Sequence, residues 1–195
     1  MHFDHFDFVT SDPHLSHNNI WRPDYADRPV NSTPDHDIFL INNWNRTVGP
    51  NDTVLVLGDV VMGRIAHSLP LVGLLNGQLH LVFGNHDRMF GASGAKLDRW
   101  MTAYGQHFAS IQSFATATVA GVDVDLCHFP YHGDSHDADR YADHRPVDRG
   151  RWLLHGHTHS SDFVHDGNMI HVGVDSAVAN YAPIPYDIIA DAVRS

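Results

Sequence analysis

The sequence predicts an α/β fold organised around a parallel sheet, and three observations predict it. A continuous apolar run at 53–57, bounded by turn residues, has the signature of a strand buried on both faces, and 6–10 and 79–83 also read as strands. Helical patterns lie between those runs, and a β-loop-α-β-α-β order implies parallel pairing. The second half of the chain then changes to short strands and hairpins.

The first strand, at 6–10, ends at Ser11-Asp12, and a polar loop with Pro23 and Pro29 follows. Ser32-Thr33-Pro34-Asp35 opens a helix: a capping hydroxyl, a proline in the first turn and an acid near the positive end of the dipole. Ile38, Ile41, Trp44 and Val48 fall at helical spacing, so that stripe is expected to face the core. The run 53–57 ends at Gly58-Asp59. A short helix at 69–75 leads through Asn76-Gly77 to the strand 79–83, and a further helix is expected over 96–104. Strands at 110–119 and 122–128 flank a turn at Gly121, and 152–155 is another short apolar strand. Asp166-Gly167-Asn168 joins 163–165 to 169–172 as a hairpin. The segment 129–150, crowded with Asp, His and Arg, is the one long loop. With no repeat, no low-complexity tract and no linker, residues 1–195 are expected to form one domain.

Composition narrows the function. All 23 acidic residues are Asp, Lys96 is the single lysine, and the net charge is −11. A protein that grips a long polynucleotide carries a basic stripe, which this chain lacks, so extended nucleic acid is not expected as a partner. No apolar stretch suits a membrane span, and no signal-like start is present. Cys127 is the only cysteine, which excludes an intramolecular disulfide, suits a cytoplasmic setting and is expected to be a buried small residue.

The chemistry-bearing residues cluster just past the strands. Asp12 and His14 follow the first, Asp59 the second, and Asn85 and His86 the third. His128 ends a later strand, and Gly156-His157-Thr158-His159 follows the next. In a parallel sheet the carboxyl ends line one edge, so these groups are placed to converge. Composition alone gives about two D-x-H pairs, and two occur, Asp12/His14 and Asp134/His136; that motif carries no weight by itself. By the same count G-H-x-H is expected roughly 0.1 times and G-N-H-D about 0.01 times, so those two are informative. Gly84-Asn85-His86-Asp87 still has a plain reading as a polar turn.

Asp12-Pro13-His14, Gly58-Asp59, Gly84-Asn85-His86-Asp87, His128 and Gly156-His157-Thr158-His159 together resemble the ordered blocks of the calcineurin-like metallophosphoesterase superfamily. The match runs from residue 6 to about 175. The length resembles small bacterial and phage phosphodiesterases of that superfamily, and DPHLSHNNI at 12–20 is reminiscent of one subgroup's opening. The resemblance implies a four-layer αββα sandwich, two mixed β-sheets flanked by helices. It implies two divalent metal ions, manganese first, with iron, nickel, cobalt or zinc as alternatives. One would take Asp12, His14 and His159, the other Asn85, His128 and His157, with Asp59 bridging.

That ligand set makes chemical sense. A shared carboxylate offsets the repulsion of two cations, while imidazoles and an amide leave them electrophilic. The implied reaction is hydrolysis of a small phosphodiester or nucleotide, cyclic nucleotides among them, by a metal-bridging hydroxide, with His86 protonating the leaving alkoxide. Asp87 either supports that imidazolium or only caps the turn. His17, Asn18 and His132 are candidate phosphate contacts. Asp134 and His136 are expected to face solvent, and His155 to be a satisfied buried histidine. Phosphomonoester hydrolysis is the nearest alternative; a nuclease and a non-catalytic metal scaffold are further ones. His86 and the complete ligand set favour hydrolysis over a scaffold. The oligomeric state is left open.

Overall fold

The computed structural model describes every residue except Asp137 and Asp139. The chain runs β1 (His2–Phe3), β2 (Phe8–Thr10), α1 (Thr33–Thr47), β3 (Thr53–Val56), α2 (Ile65–Ser68), β4 (Gln78–Val82) and α3 (Gly94–Tyr104). It continues with β5 (Ser110–Gln112), β6 (Ala115–Val119), β7 (Val122–Leu126), β8 (Trp152–His155), β9 (Val164–His165), β10 (Met169–His171), β11 (Ile184–Pro185) and α4 (Tyr186–Arg194). One sheet has the order β11-β2-β3-β4-β5, parallel except for β11. The other has the order β1-β6-β7-β8-β10-β9, with antiparallel pairing at β6–β7 and β10–β9. Two mixed sheets flanked by helices is the architecture expected. Among the described residues no helix is long and apolar enough to cross a membrane.

The sheets share one apolar core. Val9, Leu55 and Val82 join Ala117, Val124, Leu126, Leu154 and Ile170, and α4 adds Ile189, Ala190 and Val193. A second core joins Val54, Val56, Leu79 and Leu81 to Leu40, Trp44, Ile65 and Tyr104. Burial on both faces explains why β3 reads as a continuous rather than an alternating apolar run.

Three details differ from expectation. The run 110–119 is two strands in different sheets, β5 and β6, with the exposed Phe114 at the crossing. In α1 the cap is as read, Ser32 Oγ accepting from the Asp35 amide at 3.2 Å. Of the expected stripe, Trp44 and Val48 are buried and Ile41 packs against the core, but Ile38 is 59% exposed and His36 and Leu40 complete the buried face. Trp44 Nε1 donates to Asn76 O and His36 meets the buried Arg28, so polar anchors rotate the helix away from the face that apolar residues alone suggest. Finally, β1, β11 and α4 had no counterpart in the sequence reading. Two-residue strands fall below any periodic signal, although Ile189, Ala190 and Val193 after Pro185 do carry a helical one. The segment 129–150 is a long connection holding only a 3₁₀ turn, Ala142–His144, and it includes the two residues outside the description.

Candidate metal centre

Five strand ends from the two sheets meet at one edge. β2 leads into Asp12 and His14, β3 into Asp59, β4 into Asn85 and His86, β7 into His128, and β8 into His157 and His159. Cross-sheet hydrogen bonds hold the ends together: His128 Nδ1 donates to Leu57 O at 2.8 Å, and the His157 amide donates to Asp12 Oδ2 at 2.9 Å. The turns are tight. Among the described residues, twelve non-glycine positions have positive φ, and five of them are Asp12, His14, Asp59, His157 and His159. Such conformations cost about 1–3 kcal/mol each and cluster at functional sites. Gly84 is required where the β4 strand stops, because a Cβ there would collide with the Asp59 carboxylate and the His128 ring. Gly156 is required in the same way, under the Asp12 carboxylate.

Each carboxylate has one oxygen tied down and one oxygen aimed inward. Asp12 Oδ2 is held by the His157 amide, while Oδ1 lies 3.7 Å from His14 Nε2 and 4.0 Å from His159 Nε2. Asp59 Oδ1 accepts from the His86 amide at 2.8 Å, while Oδ2 lies 3.4 Å from His128 Nε2, 3.8 Å from His14 Nε2 and 3.9 Å from His86 Nε2. Asn85 Oδ1 is 3.0 Å from His128 Nε2. Two groups have ligand atoms close enough to share a cation: Asp12, His14 and His159, and Asp12, Asp59 and His128. Buried polar atoms are nearly always partnered, yet Asp12 Oδ1 and both ring nitrogens of His14 have no hydrogen-bond partner among the described residues. Orphaned acceptors converging on one spot are what a cation site requires, and the donor set fits divalent metals.

The electrostatics agree with that fit. Burial would raise the Asp59 carboxyl, but the His128, His14 and His86 imidazoles outweigh it and hold the group well below the usual carboxylate range. Burial would lower His128, and Asp59 overrides it, so that imidazole is raised. With Nδ1 committed to a carbonyl and Nε2 facing two oxygens, His128 holds either an extra proton or, in its place, a cation. Burial pushes His14 far below its ordinary value, and burial followed by His128 lowers His157 to about 4; both stay neutral, as ligands must.

These groups open into a cavity of about 590 Å³ lined also by His17, Ile20, Tyr25, Arg140 and Tyr141. His86 stands at its mouth with a side chain 47% exposed. His17 lines the cavity, its ring 5.7 Å from that of His14.

Several expectations are corrected. Asn18 is exposed and lies off the cavity wall. His132 also lies off it, turned outward to Asp166 at 3.3 Å. Asp87 does not meet His86. Its buried carboxylate accepts from the amides of Gly84 (2.8 Å), Asp59 (2.9 Å) and Val60 (3.2 Å), clipping the turn after β4 to the turn after β3. Burial and then Asp59 push it up to about 7, against those three N–H donors, which favour the ionised form.

Asp134 does not face solvent. Its side chain is 1% exposed, paired with Arg140 at 2.7 Å and 3.3 Å from His157 Nε2, whereas His136 is exposed at the cavity rim. His157 thus leans toward Asp134, and it stands outside the two groups drawn close enough for one ion. His155 and Cys127 are buried as expected, though of the two His155 ring nitrogens only Nδ1 finds a partner among the described residues, the Gly156 carbonyl. The sequence reading also missed Asp175, which hydrogen-bonds His159 Nδ1 at 2.7 Å, and Arg28 behind it. Neither sits in a motif.

Residues 9–185 match the model of the calcineurin-like phosphoesterase superfamily domain. The chain is 35% identical to the gene 66 protein of Mycobacterium phage L5 over 87% of its length and 86% of the relative's. It is 33% identical to the gene 66 protein of Mycobacterium phage D29, covering 96% and 95% of the two chains. Its fold is similar to that of AQ665, a protein of unknown function from Aquifex aeolicus whose crystal structure is known. The TM-score is 0.65 and the identity 22%, with 94% of this chain and 97% of that one covered.

Proposed function

The chain belongs to the calcineurin-like phosphoesterase superfamily, and on that premise we propose that it hydrolyses small phosphodiesters with the help of two divalent cations. The observation that carries this reading is the convergence of Asp12, His14, His159, Asp59 and His128 around orphaned acceptor atoms at the floor of a substrate-sized cavity. Asp12, His14 and His159 would hold one ion. Asn85, His128 and His157 would hold the other, and Asp59 would be shared. When bound, the ions would supply a Lewis acid for the phosphoryl oxygens and an activated water, manganese being the first candidate.

The chain's own residues do the rest. The tied-down oxygens of Asp12 and Asp59 fix the direction of the free ones, so the ligand atoms are set before any ion arrives. His86 has its amide anchored to Asp59 and its imidazole in the mouth, within reach of a leaving-group oxygen that needs a proton. His17 and Arg140 both line the cavity, and each carries N–H groups that could donate to an anionic ester. The net charge of −11 and the absence of a basic stripe favour a small ester over a polynucleotide.

The test is metal-free protein assayed with bis(p-nitrophenyl) phosphate and the monoester p-nitrophenyl phosphate, before and after Mn²⁺ and again after EDTA. Diester cleavage that needs Mn²⁺ and stops on chelation is expected. Absence of turnover with Mn²⁺, Fe²⁺, Co²⁺, Ni²⁺ and Zn²⁺ alike refutes the reading, and a preference for the monoester moves it to a phosphatase.

A further inference from the structure

Arg28 is the most fully buried cation described, at 1% exposure, and it uses all five of its N–H donors. Nε donates to Asp175 Oδ1 at 2.8 Å, and Nη2 to Asp175 Oδ2 at 2.9 Å and to Asp12 O at 2.8 Å. Nη1 reaches Pro13 O and His36 Nε2, each at 2.8 Å. His36 in turn lies 3.1 Å from Asp37, whose carboxylate holds the Ser16 amide and hydroxyl. One guanidinium therefore clamps the backbone of the Asp12–His14 turn to α1 on one side and to Asp175 on the other.

Asp175 is held by a bidentate fork, and its Oδ2 also meets His159 Nδ1 at 2.7 Å. A carboxylate only accepts, so Nδ1 must carry the hydrogen. In the neutral ring the lone pair then sits on Nε2, the atom that faces Asp12 Oδ1 and is ready to ligate. We propose that Arg28 and Asp175 are positioning residues that select the ligating tautomer of His159 and thereby set the affinity of the metal position formed by Asp12, His14 and His159. This rests on the two-metal reading for its consequence, but the tautomer itself is a property of the metal-free chain.

The experiment follows that division. Two-bond ¹H–¹⁵N correlation spectra of metal-free protein in alkaline buffer report which imidazole nitrogen is protonated, with His159→Asn identifying the resonance. Wild type should show His159 as the Nδ1–H form, and Asp175→Ala should move it to Nε2–H or to a mixture. Calorimetric titration with Mn²⁺ should then show one of two ions weakened about 10–100-fold in Asp175→Ala, the other changed by less than about threefold.

Arg28→Lys keeps the charge but loses the fork, and should weaken the same ion by about tenfold. It decides the matter if Asp175→Ala does not fold. An Nε2–H tautomer in wild type overturns the proposal. So does a folded variant whose tautomer and two affinities are all unchanged. If wild type takes up no metal, the two-metal reading has failed, and the tautomer comparison still tests the positioning role.

Discussion

At the scale of single residues, the proposed hydrolysis gives His86 a part in the chemistry but none in metal binding. Its amide is spent on Asp59 Oδ1, but its ring makes no hydrogen bond to a described residue, stands 5.5 Å from the His14 ring and is half exposed. A side chain that donates a proton to a leaving group, and nothing else, can be removed without disturbing the cations. His86→Gln should therefore keep the metal content of wild type while kcat falls by about 10²–10⁴ on an alkyl diester, where the leaving alkoxide needs a proton. With a p-nitrophenolate leaving group the loss should shrink several-fold, since that anion departs unaided. Equal losses for both esters would exclude the proton-donor role, and a lower metal content would make His86 a ligand. Asp59→Asn is the contrasting case: it replaces the anion proposed to be shared and should deplete both proposed ions, read by elemental analysis after dialysis.

At the scale of elements, the site depends on how the turns after β3 and β4 are fastened. Asp87 gathers three buried amides, and Asp87→Ala would leave all three without an acceptor, at about 1–3 kcal/mol for each before relaxation. The variant should lose at least about 3 kcal/mol in urea unfolding, with Asp87→Asn intermediate because an amide oxygen still accepts. A pair of variants with full stability but lost turnover would return Asp87 to the side of His86. This element also shows where sequence was informative. Gly58-Asp59, Gly84-Asn85-His86 and Gly156-His157-Thr158-His159 were legible because each follows an apolar run whose end the turn residues mark, and strand ends in a parallel sheet share an edge. Asp134, Arg28 and Asp175 were not, because they come from irregular segments. Arg28 and Asp175 lie 147 positions apart, and no local pattern encodes such a pairing, while Asp134 pairs with Arg140 six positions on in a segment without periodic signal. The same holds for His36, a polar residue in the buried stripe of α1 only because Arg28 waits there.

At the scale of the whole molecule, the buried histidines make folding depend on pH. His155 and His171 are fully buried, with ring centroids 5.5 Å apart, and neither belongs to the proposed ligand set. His165 lies 5.6 Å from the first and 6.1 Å from the second. Burial, reinforced for His155 by its neighbour His171, pushes His155 far below its ordinary value, and burial lowers His171 to about 4. In the unfolded chain both return to about 6.5. The unfolded state thus takes up protons that the folded state refuses. Their contribution is fully present above about pH 6.5 and is lost as pH falls toward 4, with an upper bound of about 3 kcal/mol from His171. Unfolding free energy measured in urea with EDTA present should therefore drop steeply between pH 6.5 and 4.5. His171→Leu, which removes one such group without adding a charge, should lower that slope by about one proton. A flat profile in wild type, or the same slope in the variant, would show that these imidazoles take up protons within the folded core.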